Sequence, residues 1–410
     1  MLENRLAPPK MGQYGLSEKE CVLNRHEELN KQTYRVGIIG FGMIGKVHAY
    51  AYAAMPFYVA PMRASFRITH VATSRKETAE QAKAVCGTAD TSEISATTDY
   101  REITENPDID IVHICTPNEF HVEPLLSAIQ HRKKIYCDKP LTASFEEAER
   151  VHTALKESNY AETNQMTFHL RFFPALMRAK QFLDTGTLVW ILQFRIGYFH
   201  SSNASASAPF KWKHTKFGGA ARDLGSHLLD LALHLLGPFE SVLAETTLAF
   251  SQRSMSTGER RDVESEDAVS MFVRMQSGAS GVIEATKLAT GNEDEMGLEI
   301  HGERGALRFR LMQPHYLEFF DANETDRPLG GDSGWKRIPC GGRFELPDSD
   351  FPSPKSTVGW ARAHVACLSN FLHAVEENRR TAPDLYQGIV VDRLIHLVLR
   401  SAAERCWVDV

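Results

Sequence analysis

From Tyr34 onward, short apolar runs alternate with helix-like segments, and this alternation restricts the fold more than any other feature of the chain. The apolar runs span residues 34–40, 66–73, 109–116, 133–137 and 160–167, and the segments between them span residues 76–86, 119–132 and 144–158. Apolar strands that alternate with helices are typical of a parallel sheet covered on both faces. The first half therefore predicts a doubly wound α/β domain, whose last helix opens on a capping box of Ser144 and Glu147.

The pattern changes after about residue 160, where longer strands are separated by turn-rich clusters. Strands are predicted at residues 187–199, 241–250, 267–275, 279–289 and 306–311, and helices at residues 174–184, 223–236, 359–377 and 385–404. This pattern indicates an α+β domain with a large, mostly antiparallel sheet. A chain of 410 residues is expected to form about two domains. We predict an N-terminal arm at residues 1–33, the doubly wound domain at residues 34–158 and the α+β domain at residues 159–410.

Composition excludes several classes of partner. The net charge of -6, from 46 Lys+Arg against 52 Asp+Glu, disfavours nucleic acid and anionic membranes as partners. The seven cysteines are widely spaced and form no C-x-x-C pair, which is typical of a reduced, cytoplasmic protein. The sequence contains no run of 18 or more apolar residues, so it predicts no membrane span.

A glycine-rich turn follows the first predicted strand and opens the first helix. Its six residues are Gly40-Phe41-Gly42-Met43-Ile44-Gly45. In this position the motif allows a tight turn and lets a pyrophosphate approach the backbone at a helix N-terminus. The sequence therefore predicts a Rossmann dinucleotide-binding site that includes Gly40, Gly42, Met43, Ile44 and Gly45.

The end of the second predicted strand bears on the choice between NAD and NADP. Domains that prefer NAD usually place Asp or Glu here to bind the ribose 2'-hydroxyl, whereas this chain continues with Ser74 and Arg75. Because an arginine can bind a 2'-phosphate, the sequence favours NADP over NAD. The alternative is that Arg75 lies in a surface loop while NAD binds through the backbone and Ser74.

Two more predicted strands end in polar residues at the same sheet edge. The run at residues 109–116 continues into Thr116, Pro117, Asn118 and His121, and the next run continues into Asp138-Lys139-Pro140. Ligands of doubly wound folds bind at the carboxyl ends of strands, so Thr116, Pro117 and Asn118 are expected along the cofactor. His121, Asp138 and Lys139 are also expected to contact the cofactor, and His121 is alternatively expected to bond the backbone at a helix start or to act in catalysis.

The lysine of the second run is a candidate proton-transfer residue. Pro140 restricts the backbone of Lys139 to extended conformations and so fixes where its side chain emerges. A partly desolvated lysine bonded to a substrate hydroxyl has a lowered pKa and can exchange the alcohol proton during hydride transfer.

The second predicted domain contributes a carboxylate and an imidazole. Asp223 and His227 are four residues apart, which on a helix places both side chains on one face, with Asp223 able to orient His227. Asp230 and His234 repeat this spacing. We interpret this second pair as structural and predict no metal site.

Several stretches together resemble the Gfo/Idh/MocA oxidoreductase family. They are IIGFGMIGKVH, ICTPNEFH, CDKPL, LRFFPALMRAKQFLDTG, GGAARDLGSHLLDLALHLLG and LEIHGERGALRF, and the resemblance covers residues 34–410. It implies that Lys139 is the family's E-K-P lysine, that Asp223 and His227 are its catalytic pair, and that Arg171 belongs to its R-F-x-P-A motif and contacts substrate. Asp138 stands where the family usually has glutamate, which bears on the cofactor geometry.

The resemblance also implies a fold, an assembly and an activity. The expected fold is a Rossmann domain followed by an α/β domain with an open-faced sheet, which forms a homodimer or homotetramer. The segment at residues 201–219 corresponds to the family's variable substrate loop. There Trp212 is expected to stack on a sugar, and Lys211, Lys213 or His214 to bond its hydroxyls or an acidic group. The alternative is a solvated lid.

The expected function is an NAD(P)-dependent dehydrogenase that acts on a secondary hydroxyl of a sugar, glycoside or cyclitol. The stretch HAYAYAAMPFY resembles family members that oxidise the C3 hydroxyl of a glycoside. Lys139 and His227 share the removal of the hydroxyl proton, and the sequence does not rank them. Two alternatives remain open, a redox-assisted glycosidase or lyase that recycles a bound NAD, and a non-catalytic sugar or dinucleotide sensor.

Overall fold

Two large β-sheets organise the described residues, which in the computed structural model are 32–59, 61–87, 93–324, 331–341, 351, 353 and 355–410. Nearly all of the predicted arm, residues 1–33, lies outside them. The six cysteines within them carry free thiols. No helix in this described part of the chain has both the length and the apolar character that crossing a bilayer requires.

The first sheet is parallel and built from buried, apolar strands. Its strands are β1 (Thr33–Ile39), β2 (Ser65–Ala72), β3 (Ser95–Thr97), β4 (Ile111–Ile114), β5 (Lys134–Cys137) and β6 (Asn164–Met166). They lie in the order β3-β2-β1-β4-β5-β6, and every neighbouring pair is parallel. This order is that of a Rossmann fold, which reverses between β1 and β4 and opens a ligand crevice there.

Helices connect these strands and cover the sheet. They are α1 (Met43–Tyr58), α2 (Lys76–Gly87), α3 (Arg101–Thr104), α4 (Val122–Gln130) and α5 (Phe145–Glu157), with a 3-10 turn at Asn118–Phe120. At the start of α5, the Glu147 backbone N–H donates to Ser144 Oγ at 3.3 Å. The Glu147 carboxylate accepts from the Ala143 N–H instead of the Ser144 N–H. Half of the predicted capping box is therefore present.

The second sheet is mostly antiparallel, and its strands alternate between buried and exposed residues. Its strands are β7 (Ile191–Phe199), β8 (Phe239–Thr247), β11 (Ala268–Met275), β12 (Ser280–Thr286), β13 (Glu295–Gly302), β14 (Gly305–Arg310), β15 (Tyr316–Asp321), β16 (Trp335–Pro339) and β17 (Val408–Asp409), while β9 (Gln252–Ser254) and β10 (Arg260–Asp262) form a separate hairpin. Only β7 and β12 pair in parallel within the described sheet. The predicted fold class is confirmed.

The helices of the second half are α6 (Pro174–Asp184), α7 (Ser226–Leu236), α8 (Trp360–Glu376) and α9 (Leu385–Glu404), with short 3-10 turns at His169–Phe172 and Trp212–His214 and a π-helical turn at Ala221–Gly225. Helix α8 packs on the first sheet. Its residues Val365, Leu368 and Phe371 join the hydrophobic cluster of β1 and α1. A helix from near the end of the chain therefore covers one face of the first sheet.

Three differences from the sequence predictions concern strands. The short edge strand β3 is absent from the prediction, so the runs at residues 109–116 and 133–137 are the fourth and fifth strands instead of the third and fourth. The run predicted at residues 160–167 shortens to β6. Strands β9, β10, β13, β15, β16 and β17 were not predicted, because they are short, edge-lying or rich in polar residues.

Asp392 of α9 fixes the loop that follows Lys139. Its carboxylate accepts hydrogen bonds from the Thr142 N–H and the Thr142 hydroxyl, each at 2.8 Å. Burial raises the pKa of Asp392 to about 7, although both bonds from Thr142 oppose the shift. The folded protein thus holds a proton on this group that the unfolded chain has released above about pH 4.

This proton predicts a pH-dependent stability. As pH rises from about 5.5 to about 8.5, the Asp392 carboxyl is expected to lower the free energy of unfolding by about 2 kcal/mol. Asp392→Asn keeps an acceptor for Thr142 and cannot ionise, so its advantage over the wild type should grow across that interval. Urea unfolding at both pH values measures it, and an unchanged difference between the two proteins would contradict the assignment.

Candidate active site

The glycine turn after β1 leaves an open approach to the start of α1. Gly40 has a φ of 89°, and a Cβ there would lie 2.7 Å from the backbone of Cys115 and Thr116. A Cβ on Gly42, in contrast, meets no described atom within 4 Å. The first N–H groups of α1 have no partner within the helix, and no side chain caps it. The turn therefore fits a pyrophosphate at Gly42, Met43 and Ile44.

The end of β2 provides polar groups without a carboxylate. Ser74 and Arg75 are exposed, and the Thr73 hydroxyl donates to the Arg75 carbonyl at 2.9 Å. Among the described residues, the Arg75 guanidinium has no ion-pair partner. It is therefore available to a ligand group at this edge.

The end of β4 joins the two halves of the molecule. The Asn118 amide donates to the Phe217 carbonyl at 2.8 Å, and the buried Thr116 Oγ1 has no hydrogen-bond partner among the described atoms. His121 is buried, and its ring nitrogens lie 3.1 Å from the Leu141 carbonyl and 2.8 Å from the Thr116 carbonyl. Both nitrogens face backbone carbonyls, which corresponds to the backbone-bonding alternative, while a contact of His121 with the cofactor stays a prediction.

Lys139 extends from the end of β5 toward the second half of the molecule. Its Nζ donates to the Asp223 carbonyl at 2.7 Å and lies 3.5 Å from Asp223 Oδ1. The carboxylate of its neighbour Asp138 instead accepts a hydrogen bond from the Thr167 hydroxyl at 2.6 Å. The shorter acid thus bonds the segment after β6, while the lysine reaches the second sheet's side of the crevice.

Asp223 lies in the π-helical turn that precedes α7, and its carboxylate contacts lysines. Lys213 Nζ lies 2.8 and 2.7 Å from its two oxygens, and Lys287 Nζ lies 3.2 Å from Oδ2. No hydrogen bond to His227 is found among the described atoms, and His227 Nδ1 has no partner. The prediction that Asp223 orients His227 is wrong, because the wider π turn disrupts the i, i+4 alignment of a regular α-helix.

Charge and burial set the protonation states of this pair. Burial alone would raise the pKa of Asp223, but Lys287, Lys139 and Lys213 together hold it well below its usual range. Burial, with Lys139 second, holds the pKa of His227 well below its usual value, against the opposing effect of Asp223. At neutral pH the site therefore presents an ionised carboxylate and a neutral imidazole.

Lys287 was not predicted as a site residue. It is 3% exposed, and its Nζ also donates to the Gly219 carbonyl at 3.3 Å. The sequence carries a signal for it, because Ile283 and Ala285 face the core of β12 and the alternation of a strand places residue 287 on the same side. A buried lysine in such a pattern needs a partner, which Asp223 provides.

Two further histidines next to His227 were also missed. The His169 ring makes an edge contact with His227 at 5.0 Å between centroids and stacks on His364 at 4.1 Å. Burial lowers the pKa of both His169 and His364 well below the usual value. They come from the turn before α6 and from α8, and their long separation in sequence gave no signal of this contact.

Arg171 and Asp230 form a buried ion pair. The Arg171 guanidinium donates to both Asp230 oxygens, at 2.8 and 2.5 Å, and the two side chains are 6% and 1% exposed. This geometry corrects one prediction, because the structural partner of Asp230 is Arg171, not His234. Asp230 holds the Arg171 guanidinium, and the substrate contact of Arg171 stays a prediction.

Of the candidate substrate residues in the loop at residues 201–219, some are exposed and some are buried. Trp212 is 38% exposed, and Lys213 lies beside it over the ring. His214 is buried, and its Nδ1 accepts from the Lys211 N–H at 2.9 Å. The buried Arg253 guanidinium donates to carbonyls at the start of this loop and so anchors it. Lys213 is thus the loop residue that contacts Asp223, and the half-exposed Trp212 ring lies beside it.

No cluster of three or more potential metal ligands occurs within the described ranges. The groups that converge are instead one carboxylate, three lysines and a neutral histidine. Such a set can hold a hydroxyl by hydrogen bonds and move its proton. It lies at the carboxyl edge of a parallel sheet that carries a glycine turn suited to a dinucleotide.

Comparisons with known proteins agree with this arrangement. Residues 34–163 match a family model described as an oxidoreductase family with an NAD-binding Rossmann fold, and residues 176–308 match the GFO/IDH/MocA C-terminal domain. A levoglucosan dehydrogenase from Pseudarthrobacter phenanthrenivorans is 30% identical over 92% of this chain and 98% of that protein. An inositol 2-dehydrogenase from Rhizobium meliloti is 27% identical over 92% of this chain and 99% of that protein.

One solved structure of the same kind can be compared directly. Levoglucosan dehydrogenase in complex with NADH and levoglucosan has a TM-score of 0.85 to this chain at 30% identity, and the match covers 92% of this chain and 100% of that one. The similarity therefore extends over both sheets and the crevice between the glycine turn and Asp223.

Proposed function

Because the chain belongs to the Gfo/Idh/MocA oxidoreductase family, we propose that it transfers a hydride between a nicotinamide dinucleotide and a secondary hydroxyl of a sugar, glycoside or cyclitol. The observation that carries this proposal is the convergence of Lys139, Asp223 and His227 at the carboxyl edge of the first sheet. The named relatives are a levoglucosan dehydrogenase and an inositol 2-dehydrogenase, which supports that substrate class.

Lys139 and His227 are the proposed proton-transfer residues. When bound, the oxidised nicotinamide supplies an acceptor for the hydride. Neutral His227 has a free lone pair and accepts the proton of the substrate hydroxyl, while Lys139 donates a hydrogen bond to the same oxygen. Asp223 holds the lysines in place through its carboxylate and its carbonyl. Trp212 and Lys213 bind the rest of the substrate.

The proposed cofactor site includes the glycine turn, Thr116, Pro117 and Asn118, and for the adenosine ribose Ser74 and Arg75. Because β2 ends without a carboxylate and Arg75 is exposed, NADP is preferred over NAD. Arg75→Ala should therefore weaken NADP binding about 10-fold and leave NAD binding within about 2-fold. Fluorescence titration with both cofactors measures this, and an equal loss for both would count against Arg75 as the 2'-phosphate ligand.

The second sheet also supports an assembly proposal. Alternate residues of β11, among them Ser270, Phe272 and Arg274, are exposed on the face opposite the core. We infer that this open face joins two or four copies of the chain. Light scattering of the protein at micromolar concentration distinguishes a dimer or tetramer from a monomer, and Phe272→Glu should shift the assembly toward monomer.

A substrate screen tests the function. The protein is purified, any bound nucleotide is identified by mass, and a panel of sugars, glycosides and cyclitols is screened for reduction of added NAD or NADP. The oxidised carbon of each product, including C3 of glycosides, is assigned by NMR. Absorbance change without bond cleavage is the expected result. Bond cleavage with no net reduction would instead support a redox-assisted lyase, and no turnover with retained sugar binding would support a sensor.

A further inference from the structure

One carboxylate is shared by three ammonium groups in the proposed substrate site. Lys213 Nζ lies 2.7 Å from Asp223 Oδ2, Lys287 Nζ lies 3.2 Å from the same oxygen, and Lys139 Nζ lies 3.5 Å from Oδ1. Each ammonium group carries one positive charge and the carboxylate only one negative charge. Two of the three ammonium groups therefore have no carboxylate of their own within ion-pair distance among the described residues.

The neighbouring acids are bound to other groups. Glu266 accepts from the Ala221 N–H at 2.8 Å, and Asp138 accepts from the Thr167 hydroxyl at 2.6 Å. Asp267 accepts from the Asn203 amide at 2.6 Å and lies 3.9 Å from the Arg253 guanidinium, and Asp294 accepts from Tyr198 and His200. None of these four carboxylates makes an ion pair with the three lysines among the described residues, and Glu266 acts on Lys287 only at longer range.

Burial strengthens the electrostatic effect of the excess positive charge. The side chains of Lys287, Lys139 and Lys213 are 4%, 13% and 38% exposed, so water solvates the first two poorly. Coulomb interactions in such a site are several-fold stronger than in bulk water. An anionic group on the substrate would supply the missing counter-charge, and the more exposed Lys213 can turn from Asp223 to meet it.

We propose that the substrate is a carbohydrate that carries an anionic group, a carboxylate or a phosphate, and that Lys213 binds this group. The proposal rests on the dehydrogenase function proposed above and narrows its substrate class. Lysine, as a compact point charge with three donors, binds either kind of anion. Asp223 then keeps Lys139 and Lys287 as its partners while Lys213 is engaged by substrate.

Matched pairs of neutral and anionic sugars test the proposal. With the cofactor that the protein prefers, kcat/KM is measured for glucose, glucuronate and glucose 6-phosphate, and for galactose and galacturonate. At least one acid is expected to exceed its neutral partner by about 10–100-fold, the range of a charge-assisted hydrogen bond. Preference for glucuronate identifies a carboxylate, and preference for glucose 6-phosphate identifies a phosphate.

Two variants locate the effect. Lys213→Met should reduce kcat/KM for the preferred acid about 10–100-fold and for the neutral sugar much less. Lys216→Met removes the same charge from the same loop, where Lys216 lies over the Phe217 ring instead of at Asp223, and should preserve the preference.

The outcomes separate this inference from the function it rests on. Equal or greater kcat/KM for the neutral sugars would overturn the anion preference and leave the dehydrogenase intact. An acid preference that survives in Lys213→Met would overturn the role of Lys213. Absence of turnover and of competitive binding across the whole panel would overturn both the inference and the proposed substrate class.

Discussion

Replacing Lys139 with alanine is expected to lower kcat for hydride transfer by about 10²–10⁴-fold, the range of a positioned acid or base. The Nζ of Lys139 is held by the Asp223 carbonyl at 2.7 Å, at the sheet edge where a substrate hydroxyl and the dinucleotide would meet. Nucleotide affinity should change by less than about 3-fold, because the glycine turn and the end of β2 are untouched. Single-turnover absorbance and fluorescence titration measure the two quantities separately.

A lysine on the same strand serves as the control. Lys134 Nζ pairs with Glu162 at 3.8 Å at the opposite end of β5, so Lys134→Ala should keep the wild-type rate. His227→Ala is expected to show a loss of the same order as Lys139→Ala, since the neutral imidazole is the proposed acceptor of the hydroxyl proton. Wild-type turnover in both Lys139→Ala and His227→Ala would overturn the catalytic assignment.

Arg171→Met is expected to lower the free energy of unfolding by about 3–5 kcal/mol, because it leaves the buried Asp230 carboxylate without its partner. The guanidinium now donates to both Asp230 oxygens, and the two side chains are almost fully inaccessible to water. Urea unfolding measures the loss. If Arg171 instead contacted substrate, the main effect would be a higher KM with stability near that of the wild type.

A double variant separates the two roles. Replacing the pair as Arg171→Met with Asp230→Leu removes both charges and should recover most of the lost stability, since an apolar pair of similar volume avoids the unpaired charge. Recovery of stability together with a near-normal KM would establish a structural role. A KM that stays high after stability recovers would return Arg171 to the substrate site.

The fold could be predicted because its signals are local. Continuous apolar runs, helical segments and the glycine turn after β1 each depend on neighbouring residues, and together they predict the doubly wound parallel sheet that the structure contains. The edge strand β3 was not predicted, because three residues with small side chains show almost no periodicity. The strand ends that bring Lys139 and Thr116 to one edge follow from the parallel topology itself.

The detailed contacts of the site depended on tertiary structure. The spacing of Asp223 and His227 assumed a regular α-helix, and the π-helical turn at Ala221–Gly225 removes the hydrogen bond that this spacing implied. Likewise, Arg171 pairs with Asp230, and Asp223 pairs with Lys287, although the partners are far apart in sequence and no local pattern connects them. For Lys287, the alternation along β12 is the sequence signal that could have identified it.

The position of α8 also constrains how the chain folds as it is synthesised. Residues Val36, Ile38 and Tyr136 of the first sheet pack against Val365, Leu368 and Phe371 of this helix. During synthesis the strands of this sheet are complete long before residue 360 leaves the ribosome. The apolar face that α8 covers therefore stays exposed while about two hundred further residues are added. Apolar surface exposed in this way favours aggregation, and release of the last segment allows α8 to cover it.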